Sequence, residues 1–320
     1  MVKKIRAIIL GFTVFYFTGC AKTTYKDTFI ISNTFLEIQS NSKEAADLVY
    51  QEISRLDKKF NFYNPASEIS KLNNSYNSSF KVSDEMFEIL KLAKQINIET
   101  DGAFDVSYGA LYSFWKEIIK KGTKQLPDDE TIKRLKDLGG MQNIVIDEDQ
   151  RTVTIKKEGL KIDLSGIAVG YMVDKAVGKL KEKGISSALI NFGGDIYCLG
   201  KNNNRAWRVG IRNPKNNSII KNIKLTDKAI TTSGNYQQFF EIEGKRFSHL
   251  INPRTGLPEV SNLVSVTVIA EDCITADSLA TAFFVMGLEG IKKFILKNKN
   301  LAVFVILEEN HKQKILSFNE

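Results

Sequence analysis

Histidine is scarce in this chain, with His249 and His311 the two in 320 residues. Imidazole chemistry near neutral pH therefore has few places to reside. Three cysteines, Cys20, Cys198 and Cys273, exclude a disulfide-dense scaffold, and their spacing fits no metal motif. No long Pro/Gly/Ser stretch splits the chain, and no internal repeat is visible. After residue 20 no apolar run approaches membrane-spanning length. The net charge of +8 has no basic stripe to focus it, so nucleic acid is not an expected partner. What is present, 43% hydrophobic and 26% charged residues, is the composition of an ordinary globular protein.

The N-terminus reads MVKKIRAIILGFTVFYFTGC. Lys3, Lys4 and Arg6 precede an apolar run from Ala7 to Phe17, which makes a secretory signal peptide over residues 1–19. Thr18 and Gly19 before Cys20 resemble a bacterial lipobox, so Cys20 is the expected lipidation site. Residues 20–27 then form a tether, and residues 28–320 a soluble body held at a membrane, outside the cytoplasm. Removing the signal peptide leaves the body at about +5. Cys198 and Cys273 lie in apolar strings and read as buried free thiols.

The β-rich segment 28–38 predicts a strand. Asn41 and Glu44 suggest a capping box for a helix over 42–58. Ser83 suits the cap of a second helix, stopped by Asp101-Gly102, and residues 143–157 read as a hairpin. A third helix starts near Gly166 and ends at Gly184. Two strands flank Gly193-Gly194, and others are expected at 207–212, 229–232, 237–242 and 263–270. Helices over 276–286 and 288–298 and a strand at 301–307 complete the pattern. Helices and strands mix without regular βαβ alternation, which predicts an α+β fold.

Few residues here carry chemistry on their own. His311 lies in a polar tail, and His249 fits a structural role or a general base. Asp277 and Thr281, four apart on a helix, are an ordinary helix pair among residues that look buried or two hard ligands for Mg²⁺. Asp163, Ser165 and Gly166 stand at a strand-to-helix junction, where backbone N–H groups suit phosphate. That junction is neither a Walker loop nor a GxGxxG fingerprint. Gly193-Gly194-Asp195 is a tight turn or a functional loop. Tyr63, Phe104, Tyr171 and Trp207 are core or stacking surfaces for a planar ring.

Together these segments resemble the ApbE family of FAD:protein FMN transferases. Matching stretches begin at Phe60, Asp101, Lys161, Ala188, Trp207, Ala229 and Ser265 and keep their order along nearly the whole body. The resemblance implies an α+β fold of the family's type, with two subdomains around an FAD cleft. It implies transfer of FMN from FAD to a Thr or Ser hydroxyl of exported electron-transfer proteins, releasing AMP. A storage protein or an FAD pyrophosphatase would share the same pocket. By matched position, Ser32, Tyr63, Ala103, Phe104, Asp105, Ser165, Tyr171 and Ile251 would contact FAD. The Mg²⁺ site would be the Ala168 carbonyl with Asp277 and Thr281, and Ala280 beside them. His249 would be the base, with Asp163 or Asp195 as substitutes. Ser32-Asn33-Thr34 departs from the family's Met-Gly-Thr, and Val169 stands where a Lys is common.

Overall fold

A computed structural model describes residues 23–320 apart from 124, 217, 236–238, 243–244, 249, 310–311 and 320. Cys20 and both histidines lie outside the described residues. No helix among the described residues is long and apolar enough to cross a membrane.

The described residues open on a hairpin, not the single strand expected over 28–38. β1 (Tyr25–Ile31) and β2 (Thr34–Ser40) pair antiparallel across Ser32-Asn33. Both turn residues have positive φ, 48° and 62°, which suits a two-residue hairpin turn. Asn tolerates that region through its short polar side chain, so two β-rich runs can fold back without glycine. α1 (Ala45–Phe60) buries Val49, Ile53, Leu56 and Phe60 at helical spacing. The expected capping box is absent, because Glu44 is itself the N-cap residue and makes no side-chain capping bond.

α2 (Glu68–Asn73) and the short β3 (Phe80–Lys81) lead to α3 (Asp84–Glu99), where Ser83 Oγ accepts from the Met86 N–H as expected. α4 (Gly109–Lys121) and α5 (Asp129–Leu138) lie where the sequence pattern predicts no element. α4 lacks a side-chain N-cap, whereas α5 has a local start signal that the sequence reading passes over: Asp128 Oδ1 accepts from the Thr131 N–H at 2.7 Å, ahead of the acidic first turn Asp129-Glu130. β4 (Ile144–Asp147) and β5 (Thr152–Ile155) form the predicted hairpin, extended by β3. α6 (Ala168–Glu182) is followed by β6 (Ala188–Phe192) and β7 (Asp195–Leu199), joined through Gly193-Gly194. β8 (Trp207–Arg212) pairs with β9 (Ile219–Leu225). β10 (Lys228–Gly234) precedes a small hairpin, β11 (Phe239–Ile242) and β12 (Lys245–Ser248). β13 (Leu263–Ala270), α7 (Cys273–Lys297), β14 (Ala302–Glu309) and β15 (Lys312–Phe318) end the chain. Gly287, at φ 70°, breaks α7 near the boundary expected between two helices.

Eight strands form one antiparallel sheet in the order β1-β2-β6-β7-β10-β13-β14-β15. All of β13 is buried, as a strand covered on both faces must be. α1, α6 and α7 pack on one face in the main core. The β8–β9 hairpin covers the other through Trp207, Val209 and Ile211. Trp207 is thus a core residue, its Nε1–H bonded to the Leu199 carbonyl at 3.0 Å, and is not a stacking surface. A third cluster joins α4 and α5 to β12 through Trp115, Ile132 and Phe247. Cys198 and Cys273 are buried free thiols, as expected. The fold is α+β.

Candidate active site

A cavity of about 890 Å³ is bordered by the β1–β2 turn, the segment after α3, α4, the start of α6, the end of β10 and α7. The order of these segments in the chain does not announce their meeting; hydrogen bonds explain it. Asn73 clamps Ile162, its Oδ1 accepting the N–H at 2.7 Å and its Nδ2 donating to the carbonyl at 2.9 Å. The Asp163 N–H then reaches the Val106 carbonyl at 2.8 Å, and the Gly109 N–H the Lys161 carbonyl at 2.8 Å. Asp105 and Asp163 are thereby delivered to one wall. Asp105 Oδ1 accepts from the Ser107 N–H at 2.8 Å and its hydroxyl at 2.6 Å, shaping the turn. Burial still raises the Asp105 carboxyl above its ordinary range, against those bonds.

Asp163 is 3% exposed. Its Oδ1 accepts from the Ser165 N–H at 2.9 Å, while Oδ2 is buried without a hydrogen-bond partner. An orphaned carboxylate oxygen costs desolvation energy that a cation or a proton donor would recover. On α7, Asp277 Oδ2 accepts one bond, from the Gly170 N–H at 3.0 Å. Burial lifts this carboxyl to about 7, only partly offset by that bond. The Thr281 hydroxyl lies 3.3 Å from Ser233 Oγ. Asp195 is half-buried and does not line the cavity; burial and the Asp277 charge push it well up.

These donors suit a hard cation. Among the described residues no group of three or more His, Cys, Asp and Glu side chains gathers to hold a metal. One carboxylate and one hydroxyl, Asp277 and Thr281, are the small protein share typical of Mg²⁺, which keeps waters and substrate phosphates in its shell.

Of the residues singled out in the sequence, Ser32, Ala103, Phe104, Asp105, Asp163, Ser165, Ile251, Asp277 and Thr281 line this one cavity. His249 lies outside the described residues. Tyr63 is not in the lining; it is 64% exposed, and its hydroxyl accepts from Lys116 Nζ at 2.7 Å, which places it at the rim. Ala168 and Ala280 are buried and their side chains are not part of the lining. Tyr171 departs from the expectation of a contact with FAD. Its ring packs edge-on to Phe60 with centroids 5.6 Å apart, and its hydroxyl donates to Glu88 Oε2 at 2.7 Å. A helix presents its successive residues to different sides, and this one faces α1 and α3.

The sequence reading misses Thr232, Ser233 and the α4 face, where Tyr112, Trp115, Lys116, Ile119 and Lys120 line the cavity. Their spacing of three and four is a helical signal that could have found them. Trp115 is anchored by its Nε1–H on the Gly256 carbonyl at 2.9 Å.

The fold and cavity define an α+β protein that gathers carboxylates and hydroxyls round a ligand-sized space. Residues 23–305 match the model of the ApbE family, and the chain belongs to that family. It is 32% identical over 274 residues to the FAD:protein FMN transferase of Escherichia coli strain K12, spanning 84% of this chain and 78% of that protein. The FAD:protein FMN transferase of Vibrio cholerae is 34% identical over 254 residues, 78% of this chain and 75% of that one. Among solved structures, the ApbE protein of Thermotoga maritima superposes with a TM-score of 0.83 at 30% identity, covering 92% of this chain and 96% of that chain. The flavin transferase ApbE of Vibrio cholerae gives 0.83 at 29% identity, with 92% and 97% covered. The chain is accordingly an enzyme, a transferase.

Proposed function

We propose that this transferase moves FMN from FAD to a Thr or Ser hydroxyl of an exported protein, releases AMP, and requires Mg²⁺. The observation that carries the reading is the convergence of Asp163, with its unpartnered Oδ2, Asp277 and Thr281 on one cavity. The names of the relatives support FAD as the donor.

In the proposed reaction the acceptor hydroxyl oxygen bonds to the FMN phosphorus. The bond from that phosphorus to the bridging oxygen breaks, and the bridging oxygen leaves with AMP. Asp163, whose Oδ2 has no hydrogen-bond partner, would take the hydroxyl proton, and His249 is the second candidate base. Asp277 and Thr281 line the cavity and would hold Mg²⁺, with the Ala168 carbonyl as the third ligand that the family resemblance implies; the ion would supply neutralisation of diphosphate charge. The remaining lining positions the dinucleotide: Phe104 and Ile251 offer apolar surface, and Ser165 is exposed to the cavity. We propose further that lipidated Cys20 tethers residues 28–320 at a membrane, facing the periplasm or the cell exterior.

The test incubates residues 21–320 with FAD, Mg²⁺ and an exported acceptor carrying an exposed Thr. An acceptor band that stays fluorescent after denaturation is the expected result. Release of AMP and free FMN without a labelled acceptor would make the chain a pyrophosphatase. Bound, unaltered FAD would make it a storage protein.

A further inference from the structure

α4 turns a mixed face to the cavity. Its Lys116 and Lys120 are the cationic side chains of that lining among the described residues, whereas Asp105, Asp163 and Asp277 supply its carboxylates. Among the described residues neither lysine is ion-paired within 4.0 Å of a carboxylate. Lys116 instead donates to the Tyr63 hydroxyl, with Nζ 5.0 Å from the ring centre. An ammonium group has three donors, so two remain for another ligand. Burial pulls the Lys116 ammonium down, but the Asp163 charge and the Tyr63 hydroxyl more than offset this and leave it raised, hence cationic at neutral pH.

Cations and carboxylates on different elements around one space suit a ligand that is itself charged and must be met from more than one side. A diphosphate is such a ligand. Oxygens turned toward the carboxylates can be reached through a divalent cation, but those turned elsewhere need donors of their own. Lys116 and Asp163 line the same cavity, so the ammonium shares the space of the proposed reacting centre. Lys120 follows it one turn along the same helix face.

We propose that Lys116, supported by Lys120, binds the diphosphate of the dinucleotide from the α4 wall and so selects phosphorylated flavins over riboflavin. The assignment rests on the FAD reading above. Lys116 is a contact to substrate here, and its hydrogen bond to Tyr63 holds the ammonium at the cavity mouth until the ligand arrives.

The experiment titrates the full-length chain and its Lys116→Met, Lys116→Arg and Lys120→Met variants with FAD, ADP and riboflavin, following flavin and tryptophan fluorescence. Lys116→Met is expected to weaken FAD and ADP by ~10-fold or more, the worth of one charge-assisted contact, with riboflavin unchanged. Lys116→Arg should restore most of the affinity, and added salt should weaken FAD more in wild type than in Lys116→Met. FAD affinity unchanged in Lys116→Met would overturn the assignment. An equal loss for riboflavin would also overturn it, by making Lys116 a contact to the flavin ring. A wild-type chain that binds no FAD would overturn the transferase reading itself, and the assignment with it.

Discussion

The Gly170 backbone N–H donates to Asp277 Oδ2 at 3.0 Å, so the first turn of α6 holds the carboxylate that α7 brings to the cavity. The two helices can approach this closely because position 170 has no side chain. A Cβ there would lie 2.5 Å from the Cys273 carbonyl oxygen and 2.8 Å from the Ile274 Cα. Asp174, one turn further along α6, fastens the same junction by accepting the Cys273 and Ile274 N–H groups, each at 2.8 Å.

Gly170→Ala should therefore fail on both counts. The clash is with backbone, which cannot rotate aside, so a loss of ~1–3 kcal/mol is expected from overpacking. Asp277 should be displaced with it. Thermal denaturation and Mg²⁺-dependent turnover check this, and a variant matching wild type in both would show that the helices part without cost.

Asp174 gives the fold a pH dependence of definite sign. Burial raises its carboxyl from 3.8 to about 7, against the two N–H bonds, with the Asp272 and Asp277 charges adding to the rise. Between these values the unfolded chain binds fewer protons than the folded one, so stability falls as pH climbs from about 4 to about 7 and levels off above. Asp277 and Asp105 contribute with the same sign. Asp174→Asn should flatten the fall in denaturation midpoint across that window without abolishing it. An identical slope in the variant would mean that Asp174 does not titrate there.

Asp277→Asn should separate stability from activity. The amide oxygen can still accept from Gly170, and a buried carboxylate is replaced by a neutral group. At pH 8, above the raised value, the variant without added metal should denature at the same temperature as wild type or higher. Mg²⁺-dependent turnover should disappear in it and in Asp277→Ala. Unchanged Mg²⁺ dependence would show that the metal is held elsewhere.

Tyr171→Phe tests the corrected position of that ring. Losing the hydroxyl bond to Glu88 should cost ~1 kcal/mol of stability. FAD affinity should stay at the wild-type value. A large loss of flavin binding would restore Tyr171 to the cavity.

Much of the architecture is legible before any coordinates. The helical spacing of Val49, Ile53 and Leu56, the Ser83 cap and the glycines at 184 and 193–194 are local signals, and each marks a real boundary. Signals fail where two readings of one segment are locally equal. Ser32-Asn33 continues a strand as readily as it turns one, and pairing between β1 and β2 settles it. The Asn41–Glu44 pattern likewise suggests a capping box, yet the helix begins past it.

What the sequence by itself determined is many of the elements, the α+β class and, through ordered motifs, the family. The tertiary structure alone decided which side chains share a space. Asp163 and the α7 pair Asp277 and Thr281 come from distant segments, and their meeting depends on the Asn73 clamp and the close approach at Gly170. It also turned Tyr171 toward Glu88 and carried Lys116 and Lys120, on a helix the sequence pattern did not announce, to the wall of the cavity. Periodicity marks which residues lie on one side of an element. Only packing between elements determines what that side faces.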